Sequence, residues 1–427
     1  MAHFLSLVSD SCFIAYYDKL CSRWFHCVPN ATLPSPIPDL SKPTVIFYES
    51  NYFRFYGAGM VLLWTMQHLE RVQPVFVTAG EGALTQRVRA AGIETLVLPT
   101  PDVWRKMQSR KGVAGKLLKA AATPTLAAHV RDLFAVIRTR GAVGVHANST
   151  RAALLAGLAA RAAGVPMWWH LRRERPMRVH ERLAYELCDQ VICIARAVRR
   201  TLGDPPKAVV IHDGIPANRL DYNASGAALK ARLNWPADAL VVGAAASLAP
   251  NKRHDLFIHM ALTLAKAFPQ AHFLIAGHRP AGVSAAYEAE LHALARPLEE
   301  TGRLAFLDWV EEMSEVFAAI DIFVHPSDNE GLGLAPIEAM QMGAPVVRTD
   351  TAGAEDMIQD GRCGGFIIPR GDGDALVDRV QRLLADEALR RRLGRAGMDC
   401  ARSEFTARRM TRQLEDLMLA SAKRSGR

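Results

Sequence analysis

Thirteen short apolar runs recur along this 427-residue chain, and their alternation with helix-like segments limits the fold more than any other feature. Seven come first: TVIFY (44–48), PVFV (74–77), TLVL (95–98), VGVH (143–146), MWWH (167–170), VICI (191–194) and AVVI (208–211). A polar, proline-bearing interval from Asp213 to Asp238 interrupts them. Six more follow: LVVGAAA (240–246), HFLIAG (272–277), LAFL (304–307), IFVH (322–325), PVV (345–347) and GFII (365–368). Strands that alternate with helices in this way imply parallel sheets covered on both faces. The length also exceeds what one core commonly holds. The expected fold class is therefore α/β, with two Rossmann-like doubly wound domains. Such sheets bind ligands beyond the carboxyl ends of their strands. Two of them facing each other across a cleft would hold two ligands between them.

The expected division runs as follows. Residues 1–43 form an N-terminal extension ending in the proline-rich linker ATLPSPIPDLSKP (31–43), and 44–218 form the first domain. Residues 219–239 are a linker, 240–400 the second domain, and 401–427 a basic helix or tail.

Composition narrows the class without choosing a function. Hydrophobic content of 50% with 22% charged residues describes a folded globular chain. A formal charge of +9 and a pI near 9.3 suit nucleic acid, anionic lipid or phosphorylated ligands alike. Seven cysteines without metal-type spacing argue for reduced thiols and a cytoplasmic setting, with Cys188 and Cys193 read as buried thiols. No stretch reaches the roughly 20 apolar residues of a membrane span. The apolar first 30 residues are broken by Asp10, Asp18 and Lys19 and lack the basic start of a signal peptide. Three glycosylation-type strings, at Asn30, Asn148 and Asn223, are then coincidental.

The segment from Phe323 to Thr349, FVHPSDNEGLGLAPIEAMQMGAPVVRT, concentrates the chemistry. A buried strand ends at Pro326, and a polar glycine-bearing loop follows. A helix is expected to open at Pro336 and close at Gly343, since proline suits the first helical position and glycine the one past the last. Ala335 before it is a poor N-cap, so the first-turn N–H groups lack a side-chain partner. A strand, a glycine loop and an uncapped helix start form an anion site, with free donors and a helix dipole aimed at one spot. Two carboxylates flank it, Glu330 in the loop and Glu338 on the expected first turn. The plain alternative is a solvated loop Glu and a dipole-stabilising Glu, although the capping-box partner is missing.

This E-x7-E with G-x-G inside it resembles the donor site of retaining glycosyltransferases of the GT-B fold, the group 1 or glycogen-synthase-like family. The resemblance runs from Lys42 to Arg402 and is strongest from Val241 to Arg370. It implies that Glu330 contacts the donor sugar, with the backbone of Gly331, Leu332, Gly333 and Leu334 on sugar hydroxyls or phosphate. It places Glu338 on the ribose, where a carboxylate accepts two hydroxyl hydrogens. SLAPNKRHDLFI (247–258) resembles the family's R-L-x-P-x-K segment, whose cations neutralise the donor diphosphate. Lys252 matches the lysine. Ser247 stands where the arginine is usual, leaving Arg253 or Arg279 to replace it. Lys252 and Arg253 alone would read as a solvated helix start.

The same resemblance puts His170 near the transferred sugar, although a strand-end histidine is otherwise a core residue. Arg172, Arg173 and Glu174 follow within reach of acceptor or phosphate. Gly57 and Gly59 match a glycine pair that admits the diphosphate, or else make a plain loop-to-helix turn. Glu355 matches a family glutamate after the next strand but is read as structural, since it could cap its own helix. Asp372-Gly-Asp374 spells a D-x-D string, but N-cap and first-turn acids explain it, so no metal and no cofactor is expected. In the family the last helices cross back onto the first domain. The stretch from Trp104 to Lys119 carries six cations, no acid and a tryptophan, which suits an anionic membrane surface or a solvated helical face.

The function implied is transfer of a sugar from a nucleotide diphosphate sugar to a lipid-linked or glycan acceptor in cell-envelope glycan synthesis. Glu330, His170 and Lys252 are its catalytic residues, and no nucleic acid is involved. The setting is cytoplasmic, peripheral on the membrane's cytoplasmic face. The alternatives are a nucleotide-sugar epimerase of the same fold and an inactive scaffold relative.

Overall fold

A computed structural model describes residues 41–52, 55, 57–99, 113–280, 282–308, 310, 312–359 and 361–424, without the side chains of 113–124. The expected extension, up to residue 40, and the basic stretch 104–119 lie outside this description, save for the backbone of 113–119.

All thirteen apolar runs are strands. The first seven are β1 (Thr44–Glu49), β2 (Gln73–Thr78), β3 (Thr95–Val97), β4 (Gly144–Ala147), β5 (Met167–Leu171), β6 (Gln190–Cys193) and β7 (Ala208–Val210). They form one sheet in the order β3-β2-β1-β4-β5-β6-β7. The other six are β8 (Leu240–Ala245), β9 (Ala271–Ala276), β10 (Leu304–Leu307), β11 (Ile322–His325), β12 (Val346–Thr349) and β13 (Gly365–Ile368). Their sheet runs β10-β9-β8-β11-β12-β13, with parallel pairing throughout. In each sheet the strand order reverses once, between β1 and β4 and between β8 and β11. A doubly wound sheet opens its binding crevice at that reversal.

Burial explains why the runs were legible. Strands covered by helices on both faces are apolar on both, and every residue of β1, β4, β5, β9, β11 and β12 is buried. The helices bury one stripe each. Helix Gly373–Ala385 turns Leu376, Val380, Leu383 and Leu384 inward, the spacing of one helical face. Those residues join Phe257, Leu264, Phe273, Val324 and Val347 in the core around the second sheet.

Packing divides the chain into two units, one holding 41–170, 178–191 and 414–424, the other 171–177 and 192–413. The end of the basic tail thus belongs to the first unit. There Glu415 accepts hydrogen bonds from the amides of Glu70 at 2.8 Å, Arg71 at 2.5 Å and Val72 at 3.3 Å. Among the described residues no helix is long and apolar enough to cross a membrane.

Candidate active site

The two strands astride the second reversal deliver the two central side chains. The chain leaves β8 through Ser247 and a short 3-10 turn, Pro250–Lys252. Arg253 then takes left-handed backbone angles, φ 53° and ψ 45°, before helix His254–Ala267 begins. The chain leaves β11 through Pro326 and Ser327 to Glu330. Lys252 Nζ donates to Glu330 Oε2, and His325 Nε2 lies 3.1 Å from the same oxygen.

Burial by itself would raise the Glu330 carboxyl. The hydrogen bond from His325 and the charge of Lys252 outweigh it and hold the group well below the usual carboxylate range. His325 is pushed the other way, down to about 4, by burial and by the Lys252 and Arg348 charges, against the pull of Glu330. A neutral imidazole therefore donates to an ionised carboxylate at neutral pH. Ser327 Oγ sits 3.2 Å from His325 Nε2, and Thr349 Oγ1 donates to the Ser327 carbonyl at 2.6 Å.

The helix after the loop differs from expectation. It spans Leu334–Gln341, with Gly333 at the N-cap in place of Ala335. Pro336 is its third residue, which costs nothing because the first N–H groups of a helix have no intrahelical partner. Gly333 has φ 88°, a region that glycine enters without penalty. The helix ends as expected against Gly343, φ 89°. No side chain caps the start. Glu338 moves from the first turn to the second, which removes dipole stabilisation as its explanation. It is buried, with Arg219 Nε donating to its Oε1 at 3.0 Å. Burial raises its carboxyl pKa, and Arg219 opposes the rise.

Gly331 is required by space. A Cβ there would meet Ile194 Cδ1 at 2.5 Å and the Arg172 carbonyl at 2.9 Å, so the backbone after β5 packs on the loop. Arg172 itself pairs with Asp213 at 3.4 Å. Glu174 accepts from Arg370 at 2.8 Å. Arg173 is half-buried.

Neither proposed substitute for the family arginine is a spare cation. Arg253 makes ion pairs with Asp255 at 3.0 Å and Asp328 at 3.2 Å. Arg279 is held by Glu288 at 2.9 Å and the Val283 carbonyl at 2.8 Å. Ser247 contributes its carbonyl, which lies 3.1 Å from His254 Nε2. Glu355 does not cap its own helix, whose N-cap is Gly353, but pairs with Arg200 at 2.8 Å. Asp372 is the N-cap of its helix, accepting from the Ala375 amide at 2.8 Å.

The other expected residues belong to the first unit. His170 is buried in β5, its Nδ1 3.3 Å from His146 Nε2. Gly57 and Gly59 lie in the first turn of helix Gly57–Gln67. Three residues of the second site carried no assignment from sequence: His325, Arg219 and Arg348. A histidine closing the strand before the signature loop was the one available signal. The other two arginines gave none.

Comparison with known proteins agrees with this geometry. Residues 227–399 match the family model described as glycosyl transferases group 1. Over 204 residues the chain is 30% identical to a D-inositol 3-phosphate glycosyltransferase of Streptomyces bingchenggensis, covering 46% of this chain and 44% of the relative. Over 182 residues it is 29% identical to a lipopolysaccharide core biosynthesis glycosyltransferase of Rhizobium meliloti, covering 43% and 50%. The matched region thus spans about half the length of these relatives. Among solved structures, Anabaena HepE in complex with UDP superposes with a TM-score of 0.73 at 21% identity, over 88% of this chain and all of that one. A glycosyltransferase from Rickettsia africae reaches 0.75 at 14% identity, over 90% and 99%. The architecture is that of the GT-B glycosyltransferases, two Rossmann-like domains. The segment 227–399, which carries Lys252, Glu330 and Glu338, is thus similar to the group 1 glycosyltransferases.

Proposed function

We propose that this chain is a retaining glycosyltransferase that moves a sugar from a nucleoside diphosphate sugar to an acceptor hydroxyl. The observation that carries the reading is the meeting of Lys252 with Glu330 at the strand-order reversal, beside an uncapped helix start. The physical task is charge control. Departure of the nucleoside diphosphate leaves negative charge, which Lys252 and the amides at Leu334 and Ala335 stabilise. Glu330, kept ionised by His325 and Lys252, faces the sugar as it gains positive character. Glu338 takes the ribose hydroxyls with the lone pairs that Arg219 leaves open. No protein nucleophile is assigned, and the leaving phosphate takes the proton of the incoming hydroxyl on the same face.

The donor class is supported by the HepE structures, whose names record UDP and UDP-glucose. A lipid-linked or polysaccharide acceptor is supported by relatives named for lipopolysaccharide core and capsular polysaccharide synthesis. On the resemblance we further assign His170, Arg172, Arg173 and Glu174 to the transferred sugar and acceptor, and Gly57 and Gly59 to the diphosphate. We place the protein on the cytoplasmic face of the membrane, with no metal cofactor.

The test is product analysis with UDP-, GDP- and ADP-sugars, with and without lipid-linked acceptors. Transfer with the donor's anomeric configuration supports the proposal. Inverted product refutes retention, an epimerised donor makes the protein an isomerase, and no turnover with any pair makes it a binding subunit.

A further inference from the structure

Arg348 follows the apolar run Pro345–Val347 in sequence. It is wholly buried, 0% exposed, within β12. A buried guanidinium is normally matched by a carboxylate, because desolvating an unpaired charge is costly. Arg348 has none at ion-pair distance among the described residues. Its Nη1 donates to the Leu332 carbonyl at 2.9 Å and contacts Met357 Sδ at 2.9 Å, and its Nη2 donates to Thr351 Oγ1 at 2.8 Å. Its Nε has no acceptor. Glu330 and Asp356 act on it only through space.

The Leu332 contact sets the direction of a peptide. In a trans peptide the C=O and N–H point to opposite sides. The Leu332 carbonyl points in toward Arg348, so the Gly333 amide points out. The preceding peptide behaves alike, since the Gly331 carbonyl accepts from the Gly353 amide at 2.8 Å and the Leu332 amide faces away. A Cβ on Gly353 would lie 2.6 Å from Leu332 Cα, so this turn is pressed against the loop. Two outward amides thus precede the uncapped helix start, with a buried cation behind them.

We propose that Arg348 is a positioning residue for the anion site, turning the loop amides outward and placing beneath them a positive charge with no ion-pair partner among the described residues. A bound diphosphate then adds counter-charge on the far side of those amides. This rests on the nucleoside diphosphate sugar reading above.

The experiment measures binding of UDP, GDP and ADP, each beside its own nucleoside, to wild type and to Arg348→Met, Arg348→Lys and Arg348→Gln. Arg348→Met is expected to lose diphosphate affinity by about tenfold or more while nucleoside affinity stays at the wild-type value. Arg348→Lys, which keeps the charge, retains most of the preference for diphosphate over nucleoside. If Arg348→Met does not fold, Arg348→Gln takes its place under the same expectation. Equal losses for diphosphate and nucleoside, or a lysine variant as impaired as the uncharged ones, overturn the charge role. An uncharged variant with wild-type diphosphate preference overturns it as well. A wild-type protein that binds none of the diphosphates refutes the functional reading itself, a result distinct from any variant effect.

Discussion

Lys252 and Glu330, 78 residues apart in the chain, meet as an ion pair where β8 and β11 end side by side. By resemblance they serve different parts of one donor, the diphosphate and the sugar. They neutralise each other, and on the proposed function a bound diphosphate competes with Glu330 for Lys252. Glu330→Gln removes that competitor and the charge facing the sugar. Its kcat is expected to fall strongly while nucleoside diphosphate binding does not weaken. Calorimetry beside steady-state kinetics checks the split. A loss of nucleotide affinity matching the loss in kcat would reverse the assignment.

Glu338 gives the opposite signature. On the proposed ribose contact, which is equal in ground and transition states, Glu338→Gln should weaken donor and free nucleotide binding by about 1–3 kcal/mol with kcat little changed. Arg219→Met tests the support beneath it. A buried carboxylate stripped of its cation destabilises the fold, here by about 2 kcal/mol, since Arg219 retains some exposure. The Glu338 pKa rises further in that variant. An acid whose folded pKa is raised loses stability as pH climbs from its unfolded value through the folded one. Urea midpoints of Arg219→Met should therefore recover toward wild type as pH is lowered from 7 to 5. A constant deficit would mean that Arg219 acts by packing alone.

The strands were legible because covered parallel strands are apolar on both faces and the breaks between them are polar. The helix start was misplaced by two residues because Pro336 is as harmless at the third position as at the first, and Gly333 takes a backbone conformation that no spacing reveals. Glu330 and Lys252 could be found from their places after strands. Arg219 could not, since its partner Glu338 lies 119 residues away and only the fold joins them. Arg348 was hidden for a different reason. An arginine following an apolar run carries no sign of burial, and its burial depends on carbonyl and hydroxyl acceptors contributed by Leu332 and Thr351.

The basic stretch from Trp104 to Lys119 leads to a membrane prediction that stands on sequence. Each cation near an anionic surface contributes about 1 kcal/mol, screened by salt. Binding to vesicles containing phosphatidylserine should exceed binding to neutral vesicles and fall with added NaCl. Equal partitioning to both would remove the membrane role.

Asp372 separates capping from metal binding. As an N-cap accepting from the Ala375 amide, its loss in Asp372→Ala should cost about 1 kcal/mol of stability. Turnover in the wild type should survive EDTA, and the variant's kcat should match the wild type's. Activity abolished by chelation and restored by Mg²⁺ or Mn²⁺ would show that the D-x-D string was misread.

Two buried histidines give the fold an acid limit. Burial pushes His254 and His325 from the ordinary imidazole value down to about 4 each. The unfolded chain gains protons at these positions near pH 6.5, whereas the folded chain does not until about pH 4. Their contribution is therefore complete above about pH 6.5 and is lost as pH falls toward 4, by about 1.4 kcal/mol per pH unit for each group. His254 isolates the effect, because its ring bonds the backbone at Ser247 and Ala246 and not the carboxylates of the site. His254→Gln keeps an N–H for that carbonyl and removes the titration. Between pH 6 and 5 its unfolding free energy should fall less steeply than that of wild type, by roughly one histidine's share. Parallel slopes for the two proteins would mean that His254 already carries its proton in the folded state.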